Sequence, residues 1–161
     1  MVLRYQKGVY YKPQQTIFGA VPLNPFESVY KQYVESKNGI TGYMTGPTLC
    51  QKLGLTTQIP KYRFYASNYV TGREKLIINA NVVLRPPRTE VTEGNFRYLQ
   101  VLDIVDNKDG VAYETDDVIG KFNEIIRRFN LDFRRLVGMA KRYYPQKVVT
   151  VLINTAERSV S

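Results

Sequence analysis

Histidine and tryptophan are absent from this chain of 161 residues, and Cys50 is its one cysteine. A single cysteine excludes an intrachain disulfide. Without histidine or a second thiol the usual zinc, haem and cysteine–histidine constellations cannot be assembled, so a metal would need carboxylates. The commonest general base is missing too, which leaves Ser28, Ser36, Ser67, Ser159 and Ser161 with no imidazole to activate them; no G-x-S-x-G elbow is present either. The glycine-dense stretch from Gly42 to Gly54 lacks both G-x-x-x-x-G-K-[ST] and G-x-G-x-x-G, which argues against a phosphate loop. No apolar run approaches the roughly 20 residues of a membrane span, and the first residues lack the apolar core of a signal peptide. The expectation is a soluble, cytoplasmic, non-catalytic protein with no cofactor, no metal and no membrane partner.

What the chain has in excess is positive charge. Its 23 lysines and arginines face 14 acidic residues, a formal charge of +9. The excess is uneven. Residues 1–65 carry eight basic residues (Arg4, Lys7, Lys12, Lys31, Lys37, Lys52, Lys61, Arg63) against Glu27 and Glu35. Asp103, Asp106, Asp109, Glu114, Asp116 and Asp117 then form an acidic stretch, and Lys121, Arg127, Arg128, Arg134, Arg135, Lys141, Arg142 and Lys147 restore the positive sign with only Glu124 and Asp132 opposing. Such a pattern suits a polyanion, because neutralising phosphates releases condensed counterions. A solvated surface tuned for solubility explains the same charge.

Length and a 43% apolar content suit one compact domain with a core. Its first residues, Arg4 to Pro13, read as a basic, aromatic β-hairpin, with Lys7-Gly8 at the turn. Residues 14–24 hold too many breakers for a regular element and read as a loop. Asn24-Pro25 is a cap followed by proline at the first helical position, and Phe26, Val29, Tyr30, Tyr33 and Val34 recur as one helix face until Lys37-Asn38-Gly39. A short extended piece precedes a helix opened by Gly46-Pro47 and closed by Gly54. Strands are predicted over 61–66 and 75–85, the second bent at Asn79 and Asn81, with residues 68–73 joining them as a hairpin. Phe96, Leu99, Leu102 and Val105 begin the helical half. Thr115 is read as the cap of a helix whose face is Val118, Ile119, Phe122, Ile125, Ile126 and Phe129. Asp132 caps the next, with Phe133, Leu136, Val137 and Ala140 inward. Val148, Val149, Leu152, Ile153 and Ala156 supply the last. Strands first and helices second make the fold class α+β, with a small mixed sheet and a C-terminal helical bundle.

Thirteen tyrosines, several beside basic residues, offer stacking platforms for bases, but most are expected to be packing residues. Asp103, Asp106 and Asp109 stand at i, i+3 and i+6; only the first two share a helical face, and a solvated helix end is the commoner explanation than a divalent ion. Arg127-Arg128, Arg134-Arg135 and Lys141-Arg142 are basic pairs spaced by seven, so that one member of each can line a common side. That side is either a phosphate-binding stripe or the wet face of an amphipathic helical pair.

The ordered segments Lys7-Gly8-Val9-Tyr10-Tyr11-Lys12-Pro13, Thr16-Ile17-Phe18-Gly19, Thr41-Gly42-Tyr43-Met44-Thr45-Gly46 and Leu53-Gly54-Leu55-Thr56-Thr57-Gln58-Ile59-Pro60 resemble those of bacterial AbiEi-type antitoxins of abortive-infection, type IV toxin–antitoxin systems. Leu99 to Asp103 and Arg135 to Ala140, with Tyr144-Pro145, continue the likeness in order. The resemblance implies a DNA-binding transcriptional autoregulator and antitoxin, encoded with a nucleotidyltransferase toxin that it opposes. In that family a winged helix-turn-helix precedes the K-G-V-Y-Y segment. Residues 1–13 would then be a wing-like hairpin remnant lacking most of that element, and 14–161 the C-terminal antitoxin domain. Arg4, Lys7 and Lys12 would touch phosphate from the wing, and Arg127, Arg128, Arg134, Arg135, Lys141 and Arg142 from the helices. The alternative is a protein-interaction domain that meets the toxin or a second copy of itself.

Overall fold

A computed structural model describes residues 24–114 and 116–160, the side chains of the last two excepted, and the backbone of four short strands between residues 3 and 21. β1 (Leu3–Gln6) pairs antiparallel with β2 (Val9–Tyr11), with a register shift between Arg4 and Gln6, so the opening hairpin forms as expected; its Lys7-Gly8 turn lies outside the described residues. Residues 14–24 depart from the loop expectation. Gln14–Thr16 (β3) and Gly19–Val21 (β4) make a second antiparallel hairpin, because the breakers Gly19 and Pro22 fall at strand ends rather than inside a strand.

Asn24 accepts the Phe26 amide at 2.9 Å and opens α1 (Pro25–Tyr33). This helix ends before the Lys37-Asn38-Gly39 stop that was expected. Glu35–Ser36 (β5) and Gly39–Ile40 (β6) form a minimal hairpin, and Gly39 takes φ +89° as a turn residue instead of a helix cap. The hydroxyls of Thr41 and Ser67 donate to the Tyr33 carbonyl at 3.1 and 2.6 Å, so the end of α1 is satisfied by the sheet it rests on.

That sheet contains β7 (Gly42–Met44), β8 (Arg63–Ser67), β9 (Lys75–Ile77) and β10 (Val82–Arg85), in the order β7-β8-β10-β9. β10 runs parallel to β8 and antiparallel to β9. Residues 68–73 are therefore not a hairpin. They carry the chain past the place that β10 later fills, and a single 3-10 turn at Ile78–Ala80 with left-handed Asn81 (φ 53°) reverses it. The bend expected at Asn79 and Asn81 is this reversal.

The pleat sends alternate residues to opposite layers. Tyr65, Val82 and Leu84 pack with Val29 and Tyr33 of α1 and with Val34 just after it, while Tyr43 and Ala66 face the helical half. Gly42 makes this closeness possible: a Cβ there would stand 2.5 Å from the Ala66 carbonyl oxygen and 2.7 Å from that of Tyr33. α2 (Gly46–Lys52) lies between sheet and bundle. α3 (Phe96–Asp106) is buried on nearly every side, from Tyr98 through Asp106 apart from Asp103, and forms the axis of the larger core.

Around α3 pack α4 (Val118–Arg128), α5 (Phe133–Tyr143) and α6 (Gln146–Val160). Phe122, Ile125, Ile126, Leu136 and Ala140 are buried as their spacing requires. The cap of α4 is Asp117, which accepts the Gly120 amide at 2.9 Å; Thr115, the expected cap, lies outside the described residues. Asp132 accepts the Arg134 and Arg135 amides at 2.9 and 3.2 Å and caps α5 as expected. On α6, Ile153 points outward at 46% exposure, and Thr155 takes the inward place, its hydroxyl returned to the Val151 carbonyl at 2.8 Å. Among the described residues no helix is long and apolar enough to cross a membrane.

Candidate nucleic-acid interface

Three of the mid-chain acids, Asp103, Asp106 and Asp109, are used inside the molecule. Asp103 accepts hydrogen bonds from Tyr43 Oη at 2.8 Å, Thr45 Oγ1 at 2.6 Å and the Tyr144 hydroxyl. Asp106, 6% exposed, pairs with Arg88 at 3.1 Å and Lys147 at 3.3 Å. Asp109 takes a two-pronged contact from Arg85, one arm at 2.8 Å, while Arg85 Nε reaches Glu74 at 2.7 Å. The solvated helix end expected for these three aspartates is thus replaced by a joint between α3, the sheet and the α5–α6 corner. The sequence could not show this, because the partners of Asp103 lie 60, 58 and 41 residues away. Among the described residues no group of three or more acidic or thiol side chains gathers at one point.

A cavity of about 50 Å³ opens beside these groups. Asp103 keeps some accessible surface toward it, yet protein surrounds its carboxyl as it would an interior group. Burial raises its pKa, opposed by the Thr45, Tyr144 and Tyr43 hydroxyls and by Arg88. Burial and the Asp103 charge together hold the Tyr43 and Tyr144 phenols well above their ordinary value. The Arg88 guanidinium also lies 5.1 Å from the Tyr144 ring centre.

With the acids so engaged, the basic pairs of the C-terminal half are left over. Arg127 and Arg128 end α4; Arg134 and Arg135 open α5, after a four-residue connection; Lys141 and Arg142 close it. All six are exposed, and among the described residues none of them is in an ion pair. Arg135 and Arg142 come together as the spacing of seven suggested. They line one groove of about 410 Å³ with Thr89, Asn95, Gly138, Met139 and Tyr143. Arg127, Arg128, Arg134 and Lys141 do not line it.

A ring supports one of the groove arginines. The Arg135 guanidinium lies 4.5 Å from the centre of the buried Tyr98 ring, whose hydroxyl accepts the Asp132 amide at 3.0 Å. Hydrogen bonding by Thr89, then Arg142, lowers the pKa of the Tyr143 phenol. Aromatic support fixes a guanidinium without neutralising it, so its donors stay available to an oxyanion. Arg97 was not assigned to the interface from sequence, although Arg97-Tyr98 is one of the basic–aromatic pairs. It lies 4.6 Å from the Phe129 ring centre, beside the end of α4.

Lys7 and Lys12 lie outside the described residues. Arg4 is placed only by its backbone, opposite Tyr10 in the first hairpin. Of the tyrosines with described side chains, Tyr69 alone is largely exposed, as the packing expectation requires. Compared with protein-family models, curated proteins and solved structures, the chain finds no match. The likeness to AbiEi-type antitoxins therefore rests on the sequence segments that carry it.

Proposed function

We propose that this chain is a non-enzymatic, DNA-binding antitoxin-type domain of the cytoplasm that grips the phosphate backbone through Arg127, Arg128, Arg134, Arg135, Lys141 and Arg142. One observation carries the reading: six exposed cations stand on α4 and α5 with no ion-pair partner among the described residues, while Asp103, Asp106 and Asp109 are engaged inside the molecule. A surface tuned only for solubility gains from mixed signs. This one sets six cations against Glu124, which pairs with Lys121, and the helix cap Asp132. Phosphate contacts of this kind position a duplex without reading its sequence. The resemblance supplies the biological setting, an antitoxin and autoregulator opposing a nucleotidyltransferase toxin, with Arg4, Lys7 and Lys12 adding contacts from the hairpin.

Fluorescence anisotropy with a labelled duplex at low salt tests the reading. Changing Arg127, Arg128, Arg134 and Arg135 together to Gln should abolish most binding and also toxin neutralisation in cells. Retention of both would remove the stripe from the mechanism.

A second reading, a domain that meets protein instead, is favoured by the sheet edge. On and just after β9, Leu76 and Ile78 are 49% and 72% exposed, and one side of the strand is unpaired among the described residues. Co-purification of the toxin, or a dimer by sedimentation that Leu76→Lys dissolves, would support it.

A further inference from the structure

Gly138 lies midway between the two groove arginines, three residues after Arg135 and four before Arg142, on the same exposed side of α5. A glycine inside a helix is a poor choice for the helix itself, since it loses more backbone freedom on folding than any other residue. No packing reason forces it here. Its φ is not positive, and a Cβ built on it would meet nothing within 4 Å. An alanine would fit the protein and favour the helix. What the glycine provides is a stretch of bare helix surface between two cations whose Cα atoms stand about 10 Å apart.

We infer that the sugar–phosphate backbone of a DNA duplex crosses α5 at Gly138, with Arg135 and Arg142 each donating to phosphate oxygens on either side. This rests on the phosphate-binding reading above and assigns it a place and an orientation. Bare backbone allows the close approach that a side chain would block, as glycines do where a main chain must near a phosphate. The form of DNA follows from the aromatics around the groove. The Tyr98 ring is already covered by Arg135, which leaves the half-buried Tyr143 as the one ring lining the groove among the described residues. A single ring cannot stack a run of unstacked bases, whereas a duplex offers its backbone and needs none.

The test uses Gly138→Ala and Gly138→Gln in the full chain, with thermal unfolding and anisotropy against a fluorescein-labelled mixed-sequence duplex and its single strand. Both variants keep the charge of the protein. Both should melt at or above the wild-type temperature, while duplex affinity falls with side-chain size, by about tenfold for Gln. Wild type should prefer the duplex. Undiminished duplex affinity in Gly138→Gln would overturn the crossing at Gly138, and if Arg135→Gln and Arg142→Gln still weakened binding, the phosphate-binding function would survive. Tighter binding of the single strand would overturn the choice of duplex. No binding by wild type at low salt would overturn both inferences.

Discussion

Replacing Asp103 with alanine probes the joint on which the basic groove is mounted. The substitution leaves three hydroxyls, on Tyr43, Thr45 and Tyr144, without their acceptor in a largely enclosed place. Each stranded hydroxyl costs about 1–3 kcal/mol, but removing a carboxylate also relieves its own burial cost. The net expectation is a loss of about 2–4 kcal/mol, a large part of the stability of a typical domain and about 5–15 °C in melting temperature. Asp103→Asn keeps the shape and one acceptor oxygen and should cost less. The loss also depends on pH. Asp103 holds its proton more tightly folded than unfolded, so folding takes up a proton in the window between the two pKa values. The stabilisation from that proton is fully present below the unfolded carboxyl pKa of about 4 and is lost as pH rises through the folded value. The alanine variant lacks it, so the gap between wild type and variant should be wider at pH 4 than at pH 8. Urea unfolding at several pH values measures this. A loss below about 1 kcal/mol at pH 7, or a gap that narrows in acid, would refute the role given to Asp103.

Gly42→Ala drives a methyl group against two carbonyl oxygens where sheet and α1 meet; it should cost at least about 2–3 kcal/mol by chemical unfolding, and a neutral result would mean that the layers separate freely. Cys50 is buried, and burial, with the Asp109 charge, raises its thiol pKa to about 11, so iodoacetamide should label it at pH 7.5 only after denaturation. Arg85→Met removes the partner of Asp109 and Glu74; it should destabilise by about 2–4 kcal/mol, and adding Asp109→Asn should recover part of the loss in a double-mutant cycle.

Local signals in the sequence proved informative wherever the structure is local. The Asp132 cap, the α4 face from Val118 to Phe129 and the pairing of Arg135 with Arg142 across two helical turns all follow from chain spacing. The order of the sheet does not. Whether the strand at 75–85 pairs as one hairpin arm or splits at Asn81 depends on β10 fitting between β8 and β9, a choice made by burial on both faces of Val82 to Leu84. The Asp103 joint is illegible for the same reason, its hydroxyl donors coming from β7, the turn before α2 and the end of α5. Ile153, expected to face inward, points outward, and Thr155 is buried, because α6 turns its face to suit α4 and α5, which its own composition does not specify.

The most direct test of the phosphate-binding claim is the salt dependence of duplex affinity. Plotting log K against log salt should give wild type a slope of about −3 to −5, since each neutralised phosphate contributes about −0.9. Arg135→Gln with Arg142→Gln should make the slope shallower by about 2 while the protein stays folded. A flat wild-type line, or an unchanged slope in the double variant, would contradict the assignment of these arginines to the DNA backbone.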